Sequence, residues 1–195
     1  MELNKDYIMI NSSYGGKQDW LYESGFIKKK EADKSCGVTA CANVFYYIKN
    51  EKNKDRIKKE DEKANYLEIM KDLYIILRPR FYGIPSLNKM KRGMLKYAKG
   101  KGLYLRAYKK GWFLNKVDQS DFIKNALLEG HPVLILTWNF KDPQFKNHWV
   151  TLTGWEEKDG EALMIGSNWG IKKTYSYTKW MKGKSLFKGA LYFKE

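Results

Sequence analysis

Residues 148–170 read HWVTLTGWEEKDGEALMIGSNWG. Two apolar runs, 149–155 and 162–167, flank a turn containing Asp159-Gly160. That is the pattern of a β-hairpin. Upstream, Pro132 to Thr137 is a continuous apolar run, as a buried strand requires. Downstream, Lys172 to Tyr177 and Ala190 to Phe193 add two further strands. The end of the chain is therefore a set of short strands suited to antiparallel pairing.

The first half reads differently. From Gly37 to about Asn50, Val38, Cys41, Ala42, Phe45 and Ile48 recur at three- and four-residue steps and make one apolar helical stripe. Ser35 precedes it as an N-cap. A charged, exposed stretch from Glu51 to Lys63 follows. A second helix runs from about Ala64 to Leu77, with Leu67, Met70, Leu73, Tyr74 and Leu77 inward and Pro79 beyond its end. A third begins near Ser86, turns Leu87, Met90, Met94, Leu95 and Ala98 inward, and stops before Gly100. Leu103 to Tyr108 alternates like a strand, and Ser120 caps a fourth helix that Gly130 stops. Residues 1–34 are mixed, with a turn at Ser13-Tyr14-Gly15-Gly16. Helices first and antiparallel strands last define an α+β protein. No internal repeat or linker divides residues 1–195, so one domain is expected.

The composition, 43% hydrophobic and 15% aromatic, excludes a disordered chain. No apolar run is long enough to span a bilayer. The patch Tyr7-Ile8-Met9-Ile10 is too short for a signal-peptide core, so a cytoplasmic location is expected of the chain as it stands. Lys and Arg total 37 against 22 acids, a formal charge of +15. This excess points either to an acidic partner or to a lysine-rich surface. The bases are mostly Lys and alternate with acids, as in Lys52-Asn53-Lys54-Asp55-Arg56. Bidentate readers of bases and phosphates use Arg, so nucleic acid is not expected as the main partner. Cys36 and Cys41, five apart on one helix, are poorly placed for a disulfide. With His131 and His148 they match no usual zinc spacing, so neither metal nor cofactor is expected.

Three features carry chemistry. Cys36 stands at the head of the first long helix, where unpaired N–H groups and the helix dipole lower a thiol pKa. Gly37 beside it leaves room for a substrate backbone. Cys41, on the apolar stripe, reads as a small buried hydrophobe. His148 opens one arm of the hairpin and Asn168 closes the other. With a loop of about four residues, His148 falls opposite Trp169, within one position of Asn168. The Asn168 carbonyl oxygen can then fix the His148 tautomer and leave the other ring nitrogen for a thiol, with Trp169 as a shield. His131, in Gly130-His131-Pro132-Val133, reads as a surface turn residue.

With these residues in order, the chain resembles the papain-like superfamily of cysteine peptidases. Cys on a helix, His on a strand and Asn on a later strand is that superfamily's order, and Ser167-Asn168-Trp169-Gly170 is similar to its Asn-Ser-Trp-Gly segment. Gly37 and the Val-Thr-Ala-Cys-Ala run from Val38 to Ala42 resemble the bacterial branch that includes the peptidases cutting double-glycine leaders from bacteriocin precursors. Gly130-His131-Pro132-Val133 and Tyr14-Gly15-Gly16-Lys17-Gln18-Asp19-Trp20 resemble segments of that branch.

The resemblance implies N-terminal helices packed against a C-terminal antiparallel sheet, a Cys36–His148–Asn168 triad, and a peptide or protein substrate. It also implies an oxyanion hole made by the Cys36 N–H and a Gln side chain. Six residues before Cys36, where the family places that Gln, stands Lys30; Gln18 is the nearest upstream Gln. Two alternatives stay open: an acyltransferase using the same triad, and a weak or inactive binding module, motivated by Lys30 and the basic surface. Trp20, Tyr82, Trp112 and Trp138 are candidates either to line a cleft or to pack the fold.

Overall fold

The computed structural model describes residues 9–52, 62–113, 118–139 and 147–195. The chain begins with a small ribbon, β1 (Met9–Ile10) paired antiparallel with β2 (Ser13–Tyr14). Short helices α1 (Trp20–Glu23) and α2 (Lys29–Ala32) follow. The long helices are α3 (Cys36–Lys52), α4 (Glu62–Leu77) and α5 (Leu87–Gly100). After them come β3 (Arg106–Phe113), α6 (Ser120–Leu128), β4 (Val133–Trp138), β5 (His148–Lys158), β6 (Glu161–Asn168), β7 (Ile171–Ser176), α7 (Tyr177–Lys182) and β8 (Phe187–Lys194). The protein is thus α+β, with helices ahead of an antiparallel sheet. The six strands β3 to β8 form one sheet in the order β3-β8-β4-β5-β6-β7, antiparallel at each junction.

The apolar stripe of α3 explains how the two halves meet. Val38, Cys41, Ala42 and Phe45 are buried together with β5 residues Trp149, Val150 and Leu152. Packing α3 on β5 removes both apolar faces from water, each large side chain contributing about 1.5–3 kcal/mol. The Trp149 indole N–H donates 2.8 Å to the carbonyl of Ile84, tying the sheet to the loop between α4 and α5. The same stripe also meets α5, where Phe45 packs edge to face on Tyr97, and Tyr46 packs edge to face on Tyr66 of α4. Among the described residues, no helix is long and apolar enough to cross a membrane.

Several local expectations shift. The turn near residue 13 moves back to Asn11-Ser12, both at positive φ (45° and 67°), so Ser13 and Tyr14 are strand. Residues 103–105 lie before a strand that starts at Arg106 and continues to Phe113. Ser120 is the first residue of α6 rather than its cap; its N–H bonds Asp118 Oδ1 at 2.9 Å. Gly100 lies inside α5, and Gly102 takes the left-handed conformation after it (φ 77°). Helix α7 was not anticipated; Tyr177 opens it, with the Ser176 hydroxyl accepting from Lys179 N–H. Within the charged stretch from Glu51, residues 53–61 lie outside the described residues, as do Tyr7 and Ile8 of the N-terminal patch.

The decisive hairpin forms, but tighter than expected. Lys158 pairs with Glu161 across a two-residue turn, Asp159 (φ 51°) and Gly160 (φ 75°). Positive φ at both positions gives the turn whose twist matches paired strands. The register slips by one between Leu152 and Gly154, a β-bulge on β5. Beyond the bulge Thr151 faces Ser167, which carries His148 and Asn168 to the same end of the sheet.

Candidate active site

Cys36 is the first residue of α3 and is half-buried. The Ser35 hydroxyl does not cap the helix, because it donates 2.9 Å to the carbonyl of Glu31. Hydrogen bonding from the backbone N–H groups of Trp149, on β5, and Gly37 lowers the Cys36 thiol. Gly37 serves packing rather than substrate access. A Cβ there would lie 2.9 Å from Ile84 Cδ1 and 2.9 Å from Trp149 Cδ1, so only glycine lets α3 sit this close to the sheet.

His148 is the first residue of β5 and only 7% exposed. Its Nε2 lies 2.7 Å from Asn168 Oδ1. Asn168, the last residue of β6, donates its amide nitrogen 2.9 Å to the hydroxyl of Tyr175 on β7. With its nitrogen so engaged, the Asn168 side chain presents its oxygen to the imidazole. The imidazole must then carry its proton on Nε2, which leaves Nδ1 for the Cys36 thiol, its hydrogen-bonding partner. Trp169, at positive φ (52°), lays its ring 4.8 Å from the imidazole and is 44% exposed, so it covers the histidine as a lid of indole.

The electrostatics follow from this geometry. Burial alone pushes the Cys36 thiol up; the charge and hydrogen bond of His148, with the Trp149 and Gly37 N–H groups, outweigh it and hold the thiol below its ordinary range. Burial alone pushes His148 down; the Cys36 thiolate and the Asn168 hydrogen bond outweigh it, against a small opposing effect of Lys173, and the imidazole is raised. One group lowered and its partner raised means that each favours the charged form of the other.

Gln18 lines the same pocket as Cys36, His148 and Asn168. Its Oε1 is buried with no hydrogen-bond partner among the described residues. The loop carrying it is anchored by Asn43 on α3, a residue the sequence reading passed over. Asn43 Oδ1 accepts from the Gly16 N–H (2.9 Å) and the Tyr66 hydroxyl (2.7 Å), and its amide nitrogen donates to Ser167 (3.3 Å) and Thr151 (3.4 Å). The Ser167 hydroxyl in turn donates 2.6 Å to the Tyr14 carbonyl. Glycine is required on this loop: a Cβ at Gly16 would lie 2.3 Å from the Tyr66 hydroxyl. Lys30 is exposed on α2 and does not line the pocket.

The other candidates lie elsewhere. Cys41 is fully buried, its sulfur 3.6 Å from Met94 Sδ, and burial pushes its thiol far up. His131 is not a free turn residue: it is half-buried, stacked on Tyr192 at 5.9 Å, with Nε2 3.8 Å from Glu129. Trp20 packs edge-on against Tyr66, and Trp138 against Phe187. Tyr82 is 46% exposed beside Phe81, and the side chain of Trp112 lies outside the described residues. Tyr175 also escaped the sequence reading, and only its strand position relative to Asn168 could have signalled it. Compared with models of known protein families and with curated proteins, the sequence finds no significant match in either.

Proposed function

We propose that the chain is a papain-like cysteine peptidase, hydrolysing a peptide or related amide through Cys36, His148 and Asn168. The observation that carries this reading is one pocket lined by Cys36, His148 and Asn168, in which the imidazole Nε2 lies 2.7 Å from Asn168 Oδ1. The split between helices holding the thiol and strands holding the imidazole supports the papain-like assignment. Cys36 thiolate attacks the substrate carbonyl carbon, and a C–S bond forms as the carbonyl π electrons move onto oxygen. The Cys36 N–H and the Gln18 amide stabilise that oxyanion. The C–N bond then breaks, and His148 gives its proton to the departing amine. Water, losing a proton to His148, attacks the thioester and releases the acid and the thiol. Asn168, itself held by Tyr175, keeps the ring oriented through both halves.

The inactive-module reading drew on Lys30, which stands exposed outside the pocket while Gln18 lines it. The test is labelling with an acyloxymethyl-ketone probe near pH 6, followed by mass spectrometry. The expected result is one adduct, on Cys36 and none on Cys41, abolished in His148→Ala. Equal slow labelling of both thiols would overturn the proposal.

A further inference from the structure

We propose that Lys173 reads a carboxylate on the leaving-group side of the scissile bond, so that the preferred substrates are acidic just after the point of cleavage. This rests on the peptidase reading above and specifies its substrate.

Lys173 lies on β7, the outer strand of the sheet at the active-site end. It pairs with Gly166, two positions from the Asn168–Ile171 pair, so it shares the face on which Asn168 meets the imidazole. Its Nζ lies 5.0 Å from the centre of the Trp169 ring, and that ring lies 4.8 Å from His148. Imidazole, indole and ammonium form one run of contacts leading away from the reacting centre. The indole face orients the ammonium without neutralising it.

The chemistry sets the direction. The departing amine must take its proton from His148, so the chain after the scissile bond passes over the imidazole. From there it meets Trp169 and then Lys173. No carboxylate among the described residues forms an ion pair with Lys173. The methylenes of Lys17 pack against Gly170, next to Trp169. Lys173 also acts on His148 as a like charge, opposing its protonation. A substrate carboxylate at Lys173 offsets that repulsion, whereas a substrate lysine adds to it.

The carboxylate can come from an Asp or Glu side chain or from a peptide C-terminus, and the experiment separates these. A synthetic peptide library, randomised on both sides of a central position, is digested and the cut sites are read by mass spectrometry. Matched peptides then compare Asp with Asn, and free acid with amide, after the cut. The expected preference for the carboxylate is about fivefold, the scale of an exposed ion pair, shrinking at high salt. Lys173→Gln should abolish it and Lys173→Glu should invert it toward basic residues. Lys109→Gln, an exposed lysine on the opposite edge strand, should leave it unchanged. Preference confined to free acids identifies the C-terminus; preference inside chains identifies side chains. Efficient cleavage without acidic preference, or a preference that survives in Lys173→Gln, overturns this inference alone. A library left uncut removes it together with the peptidase reading.

Discussion

The hydroxyl of Tyr175 accepts a 2.9 Å hydrogen bond from the amide nitrogen of Asn168, while the oxygen of that amide faces His148. Rotating the amide by half a turn would present N–H to a protonated ring nitrogen, so the imidazole fixes the amide orientation and Tyr175 holds the amide nitrogen in it. Tyr175 is only 4% exposed, and its removal leaves the Asn168 nitrogen buried and unpaired. Tyr175→Phe should therefore lower kcat/KM about tenfold and destabilise the fold by about 1–3 kcal/mol. Asn168→Ala should lower kcat/KM further. Steady-state kinetics beside urea unfolding checks this; a Tyr175→Phe enzyme with unchanged kcat/KM would show that the phenol does not position the amide.

The pH dependence follows from the directions at Cys36 and His148. The thiol is held below its ordinary range, so the thiolate persists as pH falls and is lost only through that lowered value. The imidazole is raised, so its proton persists as pH rises and is lost only through that higher value. If the proposed ion pair forms, the thiol loses its charge on the acid side and the imidazole on the alkaline side, and kcat/KM should be bell-shaped. The linkage to stability has the same signs. Cys36 contributes stability at high pH that disappears as pH falls through its folded value. His148 contributes stability at low pH that disappears as pH rises through its own. Iodoacetamide rates measured against pH check the acid limb, with Cys41 as internal control, since burial pushes that thiol up. A Cys36 rate that rises only through the ordinary thiol range, about 8.5, would refute the ion pair.

What the sequence made legible was what is local or periodic. The α3 stripe and the Asp159-Gly160 turn announce themselves by spacing, Cys36 by its place at a helix head, and His148 with Asn168 by the hairpin register. The hairpin brought His148 and Asn168 together although its loop is shorter than expected, because a bulge between Leu152 and Gly154 shifts the register. Bulges leave little trace in an alternating pattern. A glycine beside a nucleophile suits two purposes, and at Gly37 only the positions of Ile84 and Trp149 decide between them. Asn43 and Tyr175 stayed invisible for a different reason. Their partners lie on separate strands and loops, and no sequence period reports such contacts.

Gln18 is the sharper test of the oxyanion hole. It lines the Cys36 pocket, while Lys30, six residues before the thiol, is exposed on α2. Gln18→Ala should lower kcat about 10²–10³-fold with little change in KM, the usual loss for one oxyanion donor. Lys30→Ala should be neutral. Stopped-flow acylation with an ester substrate measures the step directly. Full activity in Gln18→Ala would assign the second donor elsewhere.

Asn43 should couple stability to this same site. Its side chain is 2% exposed and bridges four partners: Gly16, Tyr66, Thr151 and Ser167. Those partners belong to the Gln18 loop, α4 and both arms of the hairpin, elements that share no local contact in sequence. Asn43→Ala strands the Gly16 N–H in a buried place and leaves the Tyr66 hydroxyl only its longer bond to the Thr39 carbonyl (3.2 Å), at a cost of about 1–3 kcal/mol. It should lower the urea midpoint with an unchanged slope. It should also release the loop at Gly16, two residues from Gln18, so kcat should fall even at temperatures where the variant is fully folded. Gly16→Ala reaches the same loop by another route, because its methyl would collide with the Tyr66 ring. If Asn43→Ala is destabilised but its folded fraction turns over at the parental rate, the loop holds its place without Asn43. The network would then serve the fold alone, since both effects follow from the same four hydrogen bonds only if those bonds are what bring Gln18 to the thiol.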